Sequence, residues 1–221
     1  MLRMAFIDVE GTLTKFEFWE EIANYVEVGE EIRSLLYRGL AGEVDWFESF
    51  NKRVELIKGV DKETILRTSQ KLVLPTQARE LVKILKNEGF FVVLVSGCFR
   101  EVLKKPLTYT NADILVSNKL IFKNGKVYGA YISVRNKGEV IDRFLTERSF
   151  VLAIGDGGND IPMFEKADVS IAVGNNRKAI EYADFNAKDL DDAIKIVQKV
   201  LENDMKIGKG CTHYQEALET V

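Results

Sequence analysis

The residues in this chain that could do chemistry gather where apolar runs stop. Met4-Ala5-Phe6-Ile7 breaks into Asp8-Val9-Glu10-Gly11-Thr12. Side chains alternate faces along a strand, so Asp8 and Glu10 are expected on one side of its C-terminal end. Two carboxylates held together repel unless a cation or a shared proton lies between them. The run Phe90 to Val95 stops at Ser96-Gly97, and Val151 to Ile154 stops at Gly155-Asp156-Gly157-Gly158-Asn159-Asp160. Any one of these endings reads as an ordinary turn. Together they suggest one edge of a sheet, the edge where open α/β sheets bind ligands. The glycines after Asp156 permit a tight turn that aims its carboxylate beside Asp8. Carboxylates without histidine or cysteine suit a hard, oxygen-preferring cation, Mg²⁺ before Zn²⁺. A serine hydroxyl, backbone N–H groups and a lysine suit phosphate oxygens, and Lys137 beside Gly138 is the candidate lysine. The single histidine, His213, lies in a polar tail. Acid–base work therefore falls to carboxylates or lysine.

The elements that must position these groups are legible as patterns. After Thr14, apolar residues recur at helical spacing (Phe16, Trp19, Ile22, Ala23 and Val26, then Ile32, Leu35 and Leu36). Asp45-Trp46-Phe47-Glu48 resembles a capping box, and Asp61 is placed to cap a further helix that Pro75 stops. Residues 15–74 thus form an all-helical insert behind the first strand. From Thr76, read as a helix cap, helices and strands alternate. A helix is expected from Phe99 to near Pro106, a short strand over Ile114 to Val116, and a hairpin joining Leu120–Phe122 to Val127–Tyr128 through Asn124-Gly125. Lys137 precedes a helix to about Arg148, Val169 to Val173 is a strand, and helices start near Ala179 and after Asp189. The expected fold is α/β, a doubly wound, mainly parallel (Rossmann-like) sheet with the small helical cap inserted after the first strand. Residues 1–14 and 75–207 make the core, and 208–221 a tail without assigned structure.

Bulk properties narrow the function classes. The 221 residues include 46% hydrophobic and 29% charged, enough to bury a core. With 31 Lys+Arg against 34 Asp+Glu, the net charge of −3 asks for neither nucleic acid nor an anionic membrane. No apolar run is long enough to span a bilayer, and no signal-peptide pattern opens the chain, so a cytoplasmic location is expected. Cys98 and Cys211 form no metal or redox spacing. The oligomeric state stays open.

Asp8-Val9-Glu10-Gly11-Thr12, Ser96 after its apolar strand, Lys137 before a helix, and Gly155 through Asp160 together resemble the four motifs of the haloacid dehalogenase-like hydrolases. Their order and spacing fit up to about Met205. Within that superfamily, Val95-Ser96-Gly97, Asn136-Lys137-Gly138-Glu139 and Gly155 to Phe164 look most like the phosphoserine phosphatase branch, whose cap occupies the place of the helical insert. The resemblance implies a Mg²⁺-dependent phosphomonoesterase acting on phosphoserine or a similar small phosphorylated metabolite. Asp8 would be the nucleophile that forms an aspartyl-phosphate, and Glu10 the acid–base partner. Ser96, Gly97, Lys137 and Asn159 would hold substrate or phosphate. Asp8, the Glu10 carbonyl and Asp156 would hold the metal, with Asp160 orienting that shell. Glu17 and Arg53 stand where the branch contacts the substrate's amino and carboxylate groups. A phosphatase for another metabolite, a phosphotransferase on the same site, and a silent phosphate-binding domain are the alternatives. One departure stands out. The family usually carries Asp where this chain has Glu10, although the enolase-phosphatases look to share Asp-x-Glu-Gly-Thr. Cys98 and Arg100 stand where the branch tends to show a glycine and an acid.

Overall fold

Short apolar runs that alternate with helices bury both faces of a sheet, and the sheet here has seven strands in the order β4-β3-β2-β1-β5-β6-β7. The computed structural model describes residues 2–41, 43–146 and 149–207, with side chains of the last helix as far as Glu202. The strands are β1 (Leu2–Asp8), β2 (Phe90–Phe99), β3 (Ile114–Lys123), β4 (Lys126–Tyr131), β5 (Ser149–Gly155), β6 (Val169–Val173) and β7 (Phe185–Ala187). All neighbouring pairs are parallel except the β3–β4 hairpin. From β1 the chain builds outward through β2 on one side and later through β5 on the other, which is a doubly wound topology with its switch at β1.

Alternation along β1 decides which layer each residue feeds. Ala5 and Ile7 join the larger core with Val92 and Leu94, under α5 (Thr76–Asn87) and α10 (Leu190–Ile207). Met4 and Phe6 join the opposite layer with α7 (Lys137–Asp142), α8 (Ile161–Phe164) and α9 (Arg177–Tyr182). Asp8 shares the parity of Met4 and Phe6, which aims it at the layer that contains Lys137.

Between β1 and α5 lie α1 (Phe18–Ala23), α2 (Gly29–Ala41), α3 (Trp46–Leu56) and α4 (Lys62–Gln70). Their apolar faces are continuous with the larger core. Phe99, at the end of β2, reaches in to meet the rings of Phe18, Trp19 and Phe50 at 5.3 to 5.7 Å. The two connections to the sheet are tied together, Thr14 Oγ1 donating to the Val73 carbonyl at 2.6 Å. The stretch between α3 and α4 adds a third attachment by lying along the hairpin. Gly59 N–H donates to Val127 O, Val127 N–H to Val60 O and Lys62 N–H to Gly125 O, each at 2.8 Å.

Several boundaries differ from the sequence pattern for identifiable reasons. Ile114–Val116 and Leu120–Phe122 are one strand, with Asn118 between them buried and its side chain bonded to Gly97 O and to the N–H groups of Ser133 and Val134. β2 runs through Phe99, and the helix expected there begins at Lys104 as α6 (Lys104–Thr110). Pro106 sits inside its first turn, where a missing N–H costs nothing. Pro75 rather than Thr76 occupies the N-cap of α5. Asp61 takes the cap position of α4, but its carboxylate pairs with Lys126 at 3.2 Å. Asp45 does cap α3, accepting from Glu48 N–H at 2.8 Å. α1 is shorter than the spacing of Phe16 to Val26 implied. Lys137 is the first residue of α7, which ends at Asp142. The short edge strand β7 had no sequence signal. Arg148, Cys211, His213 and the tail from 208 lie outside the described residues. No helix among the described residues is long and apolar enough to cross a membrane.

Candidate active site

Three adjacent strands deliver the polar groups to one edge. β1 ends at Asp8, β2 carries Ser96, and β5 ends at Gly155 just before Asp156. Asp8, Ser96, Lys137 and Asp160 are all at least 96% buried. Lys137 binds them together: its Nζ lies 2.5 Å from Asp8 Oδ1 and 2.5 Å from Asp160 Oδ1. The lysine is held at the start of α7 by Asn136, whose side chain caps the helix by accepting from Gly138 N–H at 2.7 Å. Asp160 spends its other oxygen on the backbone N–H groups of Asp156 and Gly157, both at 2.9 Å, and so shapes the turn after β5.

Carboxylate oxygens of Asp8, Asp156 and Asp160 all lie within 4.8 Å of one another. The Thr12 hydroxyl sits between two of them, 3.1 Å from Asp8 Oδ2 and 2.9 Å from Asp156 Oδ1. Burial pushes the Asp8 carboxyl well up, Lys137 opposes it, and Asp160 and Asp156 add to the rise. Asp156 is raised likewise, by burial and then by Asp160. Burial alone would lower the Lys137 ammonium, but Asp160 and Asp8 outweigh it and raise it. One ammonium among three carboxylates leaves negative charge uncompensated. An oxygen-only donor set with that surplus fits a divalent hard cation. Asp160 accepts from three protein donors, two of them backbone N–H groups on Oδ2, against one on each Asp8 oxygen, which fits orienting rather than direct ligation.

Close approach fixes two glycines here. Gly11 has φ +83°, and a Cβ there would fall 2.3 Å from Asp156 Oδ2. At Gly155 a Cβ would meet Asp160 Cγ at 2.4 Å. Neither position admits a side chain without displacing a carboxylate.

Glu10 follows a different course from Asp8. The strand ends at Asp8, and in the turn that follows the Glu10 carboxyl swings toward α1 and β2. Oε1 accepts from Phe18 N–H at 2.8 Å, and Ser96 Oγ lies 3.4 Å from Oε2. Burial raises this carboxyl, opposed by the Phe18 N–H and the Cys98 thiol. Cys98 is buried and its thiol is pushed well up by burial and by Glu10, so it is an unreactive neighbour.

The insert contributes Glu17 and Arg53. Glu17 is the N-cap residue of α1 and is exposed, yet its carboxyl is pushed up to about 8 by the protein packed around it and then by Glu10 and Asp156. Arg53 is 0% exposed, and its guanidinium is lowered to about 10 by burial, with Glu10 opposing. Its Nε donates to Ser49 O at 3.3 Å, while Nη1 and Nη2 are buried without a hydrogen-bond partner. Gly97 is half-buried, its carbonyl held by Asn118 Nδ2 at 2.7 Å, and Asn159 is exposed. Sequence reasoning gave no role to Thr12, whose position in the Asp8 turn was the available signal. It also missed the aromatic surroundings of Arg53.

The chain is similar to known proteins over most of its length. The family model for haloacid dehalogenase-like hydrolases matches residues 2–168. The phosphoserine phosphatase of Methanocaldococcus jannaschii is 31% identical over 206 residues, covering 89% of this chain and 98% of that protein. Among solved structures, phosphoserine phosphatase from T. onnurineus in complex with NDSB-201 superposes with a TM-score of 0.80 at 45% identity, covering 90% of this chain and 95% of the other. A phospho-aspartyl intermediate analogue of phosphoserine phosphatase superposes with a TM-score of 0.79 at 30% identity, covering 90% and 98%.

Proposed function

The chain belongs to the haloacid dehalogenase-like hydrolases, and on that footing we propose that it is a Mg²⁺-dependent phosphatase that hydrolyses phosphoserine, or a closely similar small phosphate ester, through a phosphorylated Asp8. The observation that carries this reading is the buried ammonium of Lys137 bridging Asp8 and Asp160 where β1, β2 and β5 end together. The substrate class comes from the relatives and from the opposed charges of Glu17 and Arg53. Residues 1–14 and 75–207 act as the catalytic core and 15–74 as its cap.

In this reading a carboxylate oxygen of Asp8 attacks phosphorus, forming an Asp–O–P bond as the P–O bond to the leaving alkoxide breaks. Glu10 gives the alkoxide its proton and then takes one from the water that cleaves the aspartyl-phosphate. The upward push that burial gives the Glu10 carboxyl, which lets it hold a proton at higher pH, supports that double duty. Ser96, Lys137 and nearby backbone N–H groups would hold the phosphoryl oxygens as charge shifts. Asp8, the Glu10 carbonyl and Asp156 would hold Mg²⁺, which supplies positive charge against the repulsion between nucleophile and phosphate. Asp160 fixes the turn that presents Asp156. Asn159, exposed in the turn after β5, would contact substrate or phosphate.

A panel of phosphorylated metabolites, assayed with Mg²⁺ on wild type and Arg53→Ala, tests the assignment. Phosphoserine should rank among the best substrates, and Arg53→Ala should lower its kcat/KM about 10- to 100-fold, the range of a lost charge-assisted hydrogen bond. Turnover of p-nitrophenyl phosphate should stay within about threefold. Equal use of phosphoserine by both proteins would remove the zwitterion argument. A pH profile probes Glu17 separately. The carboxylate must be ionised to pair with the substrate's ammonium. With its carboxyl pushed up to about 8, kcat/KM for phosphoserine should climb with pH and level off at or below about 8, since a bound cation opposes that push. Glu17→Gln should flatten this limb; an unchanged limb assigns it to another group.

A further inference from the structure

The Arg53 guanidinium has an unusual setting for a charge with no exposure. Its carbon lies 4.7 Å from the Trp19 ring centroid, 4.9 Å from that of Trp46 and 5.7 Å from that of Phe50. Trp46 and Phe50 lie seven and three residues before Arg53, on the same face of α3, and Trp19 comes across from α1. A buried guanidinium without a counter-charge is costly, and the usual remedy is a carboxylate on its edge. That remedy uses up the N–H groups. Here the compensation comes from aromatic rings, whose quadrupoles attract the cation. Nη1 and Nη2 keep their donors, and Glu10 acts on Arg53 only through its charge.

We propose that Trp19 and Trp46 are specificity-positioning residues: they hold Arg53 by its π-face so that its edge stays available to a ligand carboxylate. The inference rests on the reading of Arg53 as the carboxylate anchor. It assigns the rings a task beyond core packing, because packing alone would not require them to meet a cation.

Trp46 is the residue to change, since it is the first residue of α3 and only half-buried. Trp46→Leu should lower kcat/KM for phosphoserine about tenfold, mostly through KM, as expected for loss of one cation–π contact. Phosphoethanolamine, which lacks the carboxylate, should change by less than about twofold. Trp46→Phe should restore most of the selectivity. A second readout does not depend on turnover. The chain's two tryptophans both lie over Arg53, so its tryptophan emission reports on this group. L-serine should shift that emission, ethanolamine should not, and Arg53→Ala should lose the response. If wild type prefers phosphoserine but Trp46→Leu keeps the same preference, or lowers both substrates equally, this inference fails alone. If wild type shows no preference, the carboxylate reading of Arg53 fails with it.

Discussion

Asp8→Asn is expected to lower turnover of every phosphate ester by at least about four orders of magnitude, the scale seen when a covalent nucleophile is removed. The substitution is nearly isosteric, so the effect isolates chemistry from packing. The amide oxygen can still accept from Lys137 or Thr12, which now bond the carboxylate from either side. What it loses is the negative oxygen that must form a bond to phosphorus. Because the neighbouring Asp156 and Asp160 already oppose ionised Asp8, a neutral group in its place relieves repulsion, and the protein should stay folded. Near-UV circular dichroism should therefore match wild type while phosphate release disappears. A burst experiment with labelled substrate should find no phosphate on the Asp8→Asn chain. Residual turnover above about 1% would move the nucleophile elsewhere, and Asp156 would be the next carboxylate to test.

The middle of the sheet was readable because its central strands are apolar over most of their residues. β1, β5 and β6 are buried along nearly their whole lengths, as both-sided burial demands, so each stands out as a run with a sharp polar end. The hairpin was readable from Asn124-Gly125, both at positive φ (52° and 75°), the backbone that such a turn requires. β3 was misread as two pieces for the opposite reason. Asn118 breaks its apolar pattern, yet it is 1% exposed and ties Gly97 O to the backbone N–H groups of Ser133 and Val134. A polar residue that satisfies itself by long-range bonds leaves no local signal.

The candidate site divides along the same line. Asp8, Ser96 and Asp156 could be found because strand ends in a parallel sheet converge, and that convergence is a property of topology. Lys137 needed the motif around it, since a lysine near a glycine is ordinarily solvated. The direction of Glu10 was hidden, because strand alternation stops at Asp8 and the turn sends its carboxyl to Phe18 N–H. Arg53 was singled out by the family resemblance and, of its rings, Trp19 by helical spacing. That one would rest on the other depends on how α1 crosses α3, which no short-range pattern encodes.

Lys137→Met should cost both stability and rate. Methionine matches the length of the lysine stem but carries no charge, so three carboxylates within 4.8 Å would lose their buried cation. The Thr12 hydroxyl and the N–H groups of Asp156 and Gly157 would remain as the local donors. Breaking a buried ion pair from one side typically costs about 3–5 kcal/mol, because the partner charge is left uncompensated. In metal-free buffer the variant should therefore melt well below wild type. Adding Mg²⁺ should recover more of the melting temperature in Lys137→Met than in wild type, since a second cation matters most where the first is missing. Turnover should nevertheless stay about 10²- to 10³-fold down at saturating Mg²⁺, the scale of losing one preorganised donor to the phosphoryl group. These two responses separate the structural and chemical duties of one ammonium. Full recovery of turnover with Mg²⁺ would confine Lys137 to charge balance. Unchanged melting without Mg²⁺ would mean that the carboxylates settle their repulsion by sharing protons, as the upward push that burial gives the Asp8 and Asp156 carboxyls allows.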